Sequence, residues 1–238
     1  MNISVVIPAY NEEKLLGRTL ESVMSAIGEI GGAEVIVVDN RSTDATREIA
    51  AGFGLKVMSE PERNIGQVRN TGGIAAQGEV IVFLDADTVV RPGLFKEIAA
   101  AMSDERCSGG SVAVEYEVPE RRGWVWYFLQ LTVFIGKLLK MRQGATQFCR
   151  KDVFVELGGY DTSIYVAEDV EFHWRLDRLA RRRGGHTAFI EDPKVITSTR
   201  RFEKMSLLKT IVITHPVTIF SMWRKRSVWK DWYENAVR

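Results

Sequence analysis

Short apolar runs separated by amphipathic stretches organise the first half of the chain. Residues 3–8 (ISVVIP), 35–39 (VIVVD) and 80–84 (VIVFL) are continuous and rich in β-branched side chains, and 55–58 is a shorter run of the same kind. Each reads as a strand buried on both faces. Between them, Leu15, Leu16, Leu20, Val23 and Met24 recur at helical spacing, with Asn11 placed to cap the helix and Glu12 and Glu13 in its first turn. Ser42 or Thr43 is placed to cap a second helix ending at 52–54, and 67–76 reads as a third. Pro92 stands where a fourth helix would begin, reaching Met102. Strands alternating with helices predict an α/β fold with a Rossmann-like, mostly parallel central sheet flanked by helices. Such sheets bind ligands at the carboxyl ends of their strands, where this chain places Tyr10-Asn11-Glu12, Asp39-Asn40 and Asp85-Ala86-Asp87.

The second half is less regular. Residues 111–117 alternate like a strand, 124–139 read as an apolar helix and 143–149 as a further strand. A helix over 168–182 carries Phe172, Leu176, Leu179 and Ala180 on one stripe, which leaves Arg178, Arg181, Arg182 and Arg183 facing solvent. No repeat or linker interrupts the chain. It reads as a catalytic domain over 1–202, with halves 1–103 and 104–202, followed by a C-terminal helical extension over 203–238.

With 238 residues, 45% of them hydrophobic and 26% charged, the chain has the composition of a protein with a substantial core. A net charge of +1 gives no electrostatic case for nucleic acid as partner. Cys107 and Cys149 follow no metal or redox spacing and read as reduced core residues. No secretory leader is apparent at Met1, so the expected location is cytoplasmic. The charge-free segments 123–136 and 210–223 are shorter than the roughly 20 residues a bilayer requires.

Asp85 and Asp87 are the sharpest chemical feature. At a strand end entering a turn, both carboxylates can converge on a hard cation, Mn²⁺ or Mg²⁺. A turn preceding the Pro92 helix would use the same residues without any cation.

Residues 3–13 (ISVVIPAYNEE), 35–44 (VIVVDNRSTD), 64–73 (NIGQVRNTGG), 79–87 (EVIVFLDAD) and 167–169 (AED) resemble, in order and interval, the inverting family-2 glycosyltransferases of GT-A fold. The resemblance covers roughly residues 3–175. It implies Pro8, Tyr10 and Glu12 near a nucleoside, Asp39 on a base N–H, Arg69 at base or diphosphate, Asp85 at ribose and metal, and Asp87 on the metal. It also implies that Glu168-Asp169 supply the catalytic base, Asp169 taking the acceptor proton. The dipole of a helix starting there would lower that carboxylate's pKa. Gly158-Gly159-Tyr160-Asp161 matches the family's turn on the acceptor side, and Gly144 and Ala145 offer room for a sugar. Arg201 is a candidate diphosphate clamp. The Gln-x-x-Arg-Trp motif of the family's processive synthases is absent, which favours single transfer. His173, His186 and His215 show no ligand spacing.

The expected partners are a nucleotide-sugar, with uridine first and guanosine second, and an acceptor hydroxyl. A nucleotidyltransferase or an inactive binding module remains an alternative at this point. Trp124, Trp126, Tyr127 and Phe128 follow Arg121 and Arg122, while Ile219, Phe220, Met222 and Trp223 precede Arg224, Lys225 and Arg226. That pairing suits peripheral contact with the inner face of a membrane and a lipid-linked acceptor. Packing into the core or a homodimer interface would use the same residues.

Overall fold

The computed structural model describes residues 1–117, 145–200 and 216–229. One eight-stranded sheet runs through it. In chain order the elements are β1 (Ile3–Ala9), α1 (Leu16–Gly28), β2 (Glu34–Asp39), α2 (Thr46–Gly52), β3 (Lys56–Ser59), α3 (Ile65–Ala75), β4 (Val80–Leu84), β5 (Thr88–Val89), α4 (Leu94–Met102), β6 (Cys107–Glu117), β7 (Thr146–Arg150), α5 (Lys151–Glu156), α6 (Glu168–Arg182), β8 (His186–Ser198) and α7 (Pro216–Met222). The strand order is β3-β2-β1-β4-β7-β6-β8-β5. Strands β3, β2, β1 and β4 are mutually parallel, as is the pair β6 and β8, whereas β7 and β5 run against their neighbours.

The apolar strands are buried on both faces because helices cover both. Val5, Ile7, Val37, Val82 and Leu84 face a cluster with Leu16, Leu20 and Val23 of α1 and Leu94, Phe95 and Ile98 of α4. Val6, Val38, Ile81 and Phe83 face the other way, onto Val68 of α3, Phe154 of α5 and Phe172 and Leu176 of α6. Close approach of α3 to the sheet depends on Gly72, where a Cβ would lie 2.3 Å from Val6 Cγ1.

Several helix starts differ from the sequence expectation. Asn11, Ser42 and Thr43 do not cap helices; they bond one another across two loops. The Asn11 N–H donates to Ser42 Oγ and the Thr43 N–H to Asn11 Oδ1. Helix α1 therefore starts at Leu16, and α2 at Thr46. Helix α4 starts at Leu94 after Gly93, whose φ of 84° ends the turn in which Pro92 sits. Helix α3 starts at Ile65, two residues earlier than expected, because Asn64 caps it by accepting from the Gln67 N–H. Met24 is exposed, and Thr19 takes part in the buried stripe in its place. The 168–182 helix matches its predicted bounds, with Arg178, Arg181, Arg182 and Arg183 exposed. The expected helix at 124–139 lies outside the described residues.

The C-terminal segment docks on the second half. Phe220 stacks on Trp174 of α6, with ring centroids 5.3 Å apart, and meets Trp223 edge-on. The Tyr165 N–H donates to Trp223 O, and the Trp229 indole donates to Met222 O. Arg224 pairs with Asp161 and Arg226 with Glu62. No helix among the described residues is long and apolar enough to cross a membrane.

Candidate active site

The carboxyl ends of β1, β2 and β4 open on one cleft, at the point where the strand order reverses between β1 and β4. Pro8, Ala9, Tyr10, Asn40, Arg63, Ile65 and Val68 line a pocket there. The Arg63 guanidinium lies 4.5 Å from the centre of the Tyr10 ring and donates to its hydroxyl. Asp39 is buried; its Oδ1 accepts from the Ser42 N–H, and its Oδ2 accepts no hydrogen bond among the described residues, with Arg47 Nη1 at 3.5 Å.

Asp85 follows β4 directly, and β7 positions it: the Asp85 N–H donates to Ala145 O at 3.1 Å. Asp87 lies in the turn before β5, where Thr197 Oγ1 donates to its Oδ1 at 3.4 Å. The pair presents hard oxygen donors. Among the described residues no cluster of three or more His, Cys, Asp or Glu converges on a point. Two carboxylates are what Mg²⁺ typically takes from a protein when substrate phosphates complete its shell, so the donor set fits such an ion.

Arg69 joins the two halves of the cleft. Its Nη2 donates to Asp85 Oδ1 at 2.8 Å and its Nη1 to Glu168 Oε1 at 2.5 Å. Arg69 is buried, with its guanidinium 5.3 Å from the centre of the Tyr160 ring. Burial opposes its charge, and Asp85 and Glu168 overcome that opposition, so its pKa lies well above the ordinary value. Asp85 is raised, by burial first and then by Asp87 and Glu168, with Arg69 pulling the other way.

Asp169 stands one residue further along α6. Its pKa is pushed up to about 7, mainly by burial and then by Glu168, against the pull of Arg69. This reverses the expectation from the helix dipole, which is a smaller effect than removing a carboxylate from water. The residue before the acidic pair, Ala167, has a φ of 59°, and Asn11 and Arg41, in the loops after β1 and β2, are also left-handed. The non-glycine residues with positive φ among those described thus all border this cleft, where backbone strain is commonly kept. Tyr160 donates to Gln147 Oε1, and Gln147 Nε2 donates to Asp169 O, which ties β7 to the start of α6. The Gly158-Gly159 turn is left-handed at both glycines, and a Cβ on Gly159 would fall 2.4 Å from Asn70 Oδ1. That oxygen accepts from the Tyr160 N–H, so the turn is braced from α3.

The resemblance places Glu12 near a nucleoside. Glu12 is buried and accepts two bonds from Arg200 Nη2, which also lies 3.5 Å from Asp87 Oδ2. Arg201, Gly144 and His215 lie outside the described residues. His173 is buried on α6 and His186 is exposed at the start of β8. Arg200 was not anticipated from the sequence. The available signal was an arginine doublet closing a strand, and the pairing of β8 with β5 brings Arg200 to the turn that holds Asp87.

The class of protein follows from fold and site together. The structure resembles that of Staphylococcus aureus TarS 1–349 in complex with UDP-GlcNAc, with a TM-score of 0.65 at 20% identity, covering 84% of this chain and 59% of that one. It also resembles the mannosyltransferase PcManGT from Pyrobaculum calidifontis in complex with GDP-Man and Mn²⁺, with a TM-score of 0.62 at 20% identity over 83% of this chain and 56% of that one. The fold is therefore the GT-A fold of glycosyltransferases, a mixed α/β architecture around a curled, mostly parallel sheet.

The model of the family described as Glycosyl transferase family 2 matches residues 4–232, and the chain belongs to that family. Among curated relatives, the glycosyltransferase AglE of Haloferax volcanii is 29% identical over 183 residues, 72% of this chain and 59% of AglE. The chain thus spans well under two thirds of that relative's length.

Proposed function

We propose that the chain transfers a single sugar from a nucleoside-diphosphate sugar, with UDP as the first choice, to an acceptor hydroxyl, inverting the anomeric centre. The observation that carries this reading is Arg69, one guanidinium bonded to Asp85 on the donor side and Glu168 on the acceptor side. Family membership favours this over a nucleotidyltransferase.

In this reading Tyr10, Pro8 and the buried Asp39 receive the nucleoside, Asp39 Oδ2 accepting a base N–H. Asp85 and Asp87 would hold Mn²⁺ or Mg²⁺, which supplies Lewis-acid neutralisation of the departing diphosphate. Relatives in fold have been crystallised with such ions, PcManGT among them. Asp169 accepts the proton of the acceptor hydroxyl as its oxygen bonds to the anomeric carbon and the nucleoside diphosphate departs. A base whose pKa lies near neutrality is matched to that task, and Glu168 is held by Arg69 beside it. In this reading the acceptor oxygen attacks the anomeric carbon directly, with no covalent glycosyl-enzyme between, and a single displacement inverts that centre.

A lipid-linked acceptor with peripheral membrane contact has weaker support. Phe220 and Trp223 pack in the Trp174 cluster, and Arg224 and Arg226 pair with Asp161 and Glu62. These residues brace the acceptor-side loop at 160–165. The test of the main reading is turnover of UDP- and GDP-sugars with Mn²⁺, with and without chelator, and NMR of the product. An anomeric configuration retained from the donor overturns it.

A further inference from the structure

Arg200 is set beside the metal carboxylates by the sheet. Register pairing of Thr88 with Thr197 brings the end of β8 alongside the turn holding Asp87. Thr88 Oγ1 donates to Thr197 Oγ1 at 3.2 Å, and Thr199 Oγ1 donates to Glu117 O at 2.8 Å. Thr197 and Thr199 are both buried, so the backbone on which Arg200 stands is held. Its guanidinium reaches Glu12 at 2.5 Å and Asp87 Oδ2 at 3.5 Å, with all three side chains largely withdrawn from solvent. The Glu12 backbone is itself bonded on both sides: its N–H donates to Thr46 Oγ1 at 2.7 Å, and its carbonyl accepts from the Leu15 and Leu16 N–H groups at the start of α1. One positive charge is thus pinned by a carboxylate that plays no part in the Asp85–Asp87 pair, yet it rests against Asp87.

From this we infer that Arg200 is a resident counter-ion of Asp87, which makes divalent-cation binding conditional on the nucleotide diphosphate. The inference rests on the metal reading given above. A bare cation approaching Asp87 meets a carboxylate already offset by a fixed guanidinium and is repelled by it. A diphosphate brings negative oxygens that give the guanidinium a second partner and complete the shell of the cation, so nucleotide and cation bind together. By linkage, each strengthens the other by the same factor.

The experiment is a titration of Mn²⁺ into the full chain, read by the EPR signal of free Mn²⁺, with no nucleotide and then with saturating UDP or GDP. Variants are Arg200→Gln, Arg200→Lys and, as control for the site, Asp87→Ala. Removing a unit charge a few ångströms from the ion should tighten binding of Mn²⁺ alone about tenfold or more in Arg200→Gln, while Arg200→Lys, which keeps the charge, stays near wild type. The factor by which nucleotide tightens Mn²⁺ binding should shrink in Arg200→Gln, and Asp87→Ala should abolish binding throughout. If Arg200→Gln binds Mn²⁺ alone no more tightly than wild type, while wild type binds it with nucleotide, the counter-ion role is overturned and the metal site stands. If no Mn²⁺ binds to wild type with either nucleotide, both are overturned. Thermal melts of each variant establish that it is folded.

Discussion

Charge in a confined space governs behaviour at the residue scale. Arg69 neutralises two partly or fully buried carboxylates, and removing one partner of such a set leaves the others unpaired. Arg69→Met should therefore destabilise the fold by about 3–5 kcal/mol in urea unfolding, well beyond an average substitution. Asp169 behaves in the opposite sense. Its folded-state pKa is raised to about 7, above the unfolded value of about 3.9. The folded state holds a proton that the unfolded state releases between these values, so stability falls as pH climbs through that window. Asp169→Asn removes the titration; its melting temperature should exceed wild type by a margin that grows from about pH 5 to about pH 8. The same substitution should cut turnover about 10²–10⁴-fold with donor affinity retained. An equal loss of donor affinity would move Asp169 to the donor site.

Among the elements, the glycines of two helices predict opposite outcomes. A Cβ at Gly17 of α1 meets nothing within 4 Å, so Gly17→Ala should stabilise by about 0.5–1 kcal/mol through helix propensity. At Gly72 of α3 the added carbon would meet Val6 Cγ1 at 2.3 Å and Val38 Cγ2 at 2.9 Å. Gly72→Ala should cost about 1–3 kcal/mol, because β1 and β2 are each paired on both sides and their buried valines have no room to give way. Thermal denaturation of the two variants decides the pair; equal shifts would mean that α3 does not press on the sheet. Helix bounds follow the same physics. Asn64 caps α3 locally and lies next to its own helix, a relation visible in sequence. Asn11 and Thr43 bond each other at a separation of 32 residues, a relation that local capping rules do not contain.

Across the whole molecule, the C-terminal segment ties distant loops together. Phe220 on Trp174 and the Tyr165 N–H on Trp223 O hold it against α6 and the 160–165 loop. Trp174→Ala should raise amide hydrogen exchange at 160–165 and at 219–229, with the central strands β1 and β4 unchanged. Unaltered protection at Tyr165 would show that this stack does not hold the segment.

What the sequence determined by itself was whatever local periodicity and composition encode. Runs buried on both faces declared the parallel core strands, and acidic residues before an amphipathic stripe declared α6 to its ends. Asp39, Asp85 and Asp87 stood out because carboxylates at the ends of apolar strands are conspicuous, whereas Asp169 was reached only through the family resemblance. The tertiary structure alone decided which charges meet. Arg69 lies 99 residues from Glu168 and 16 from Asp85, and Arg200 lies 188 from Glu12. Those pairings depend on sheet order and on the register of a two-residue strand, β5, too short to carry a periodic signal. The elevated pKa of Asp169 belongs to the same class, since burial is a property of packed neighbours and not of the residue's own position in the chain.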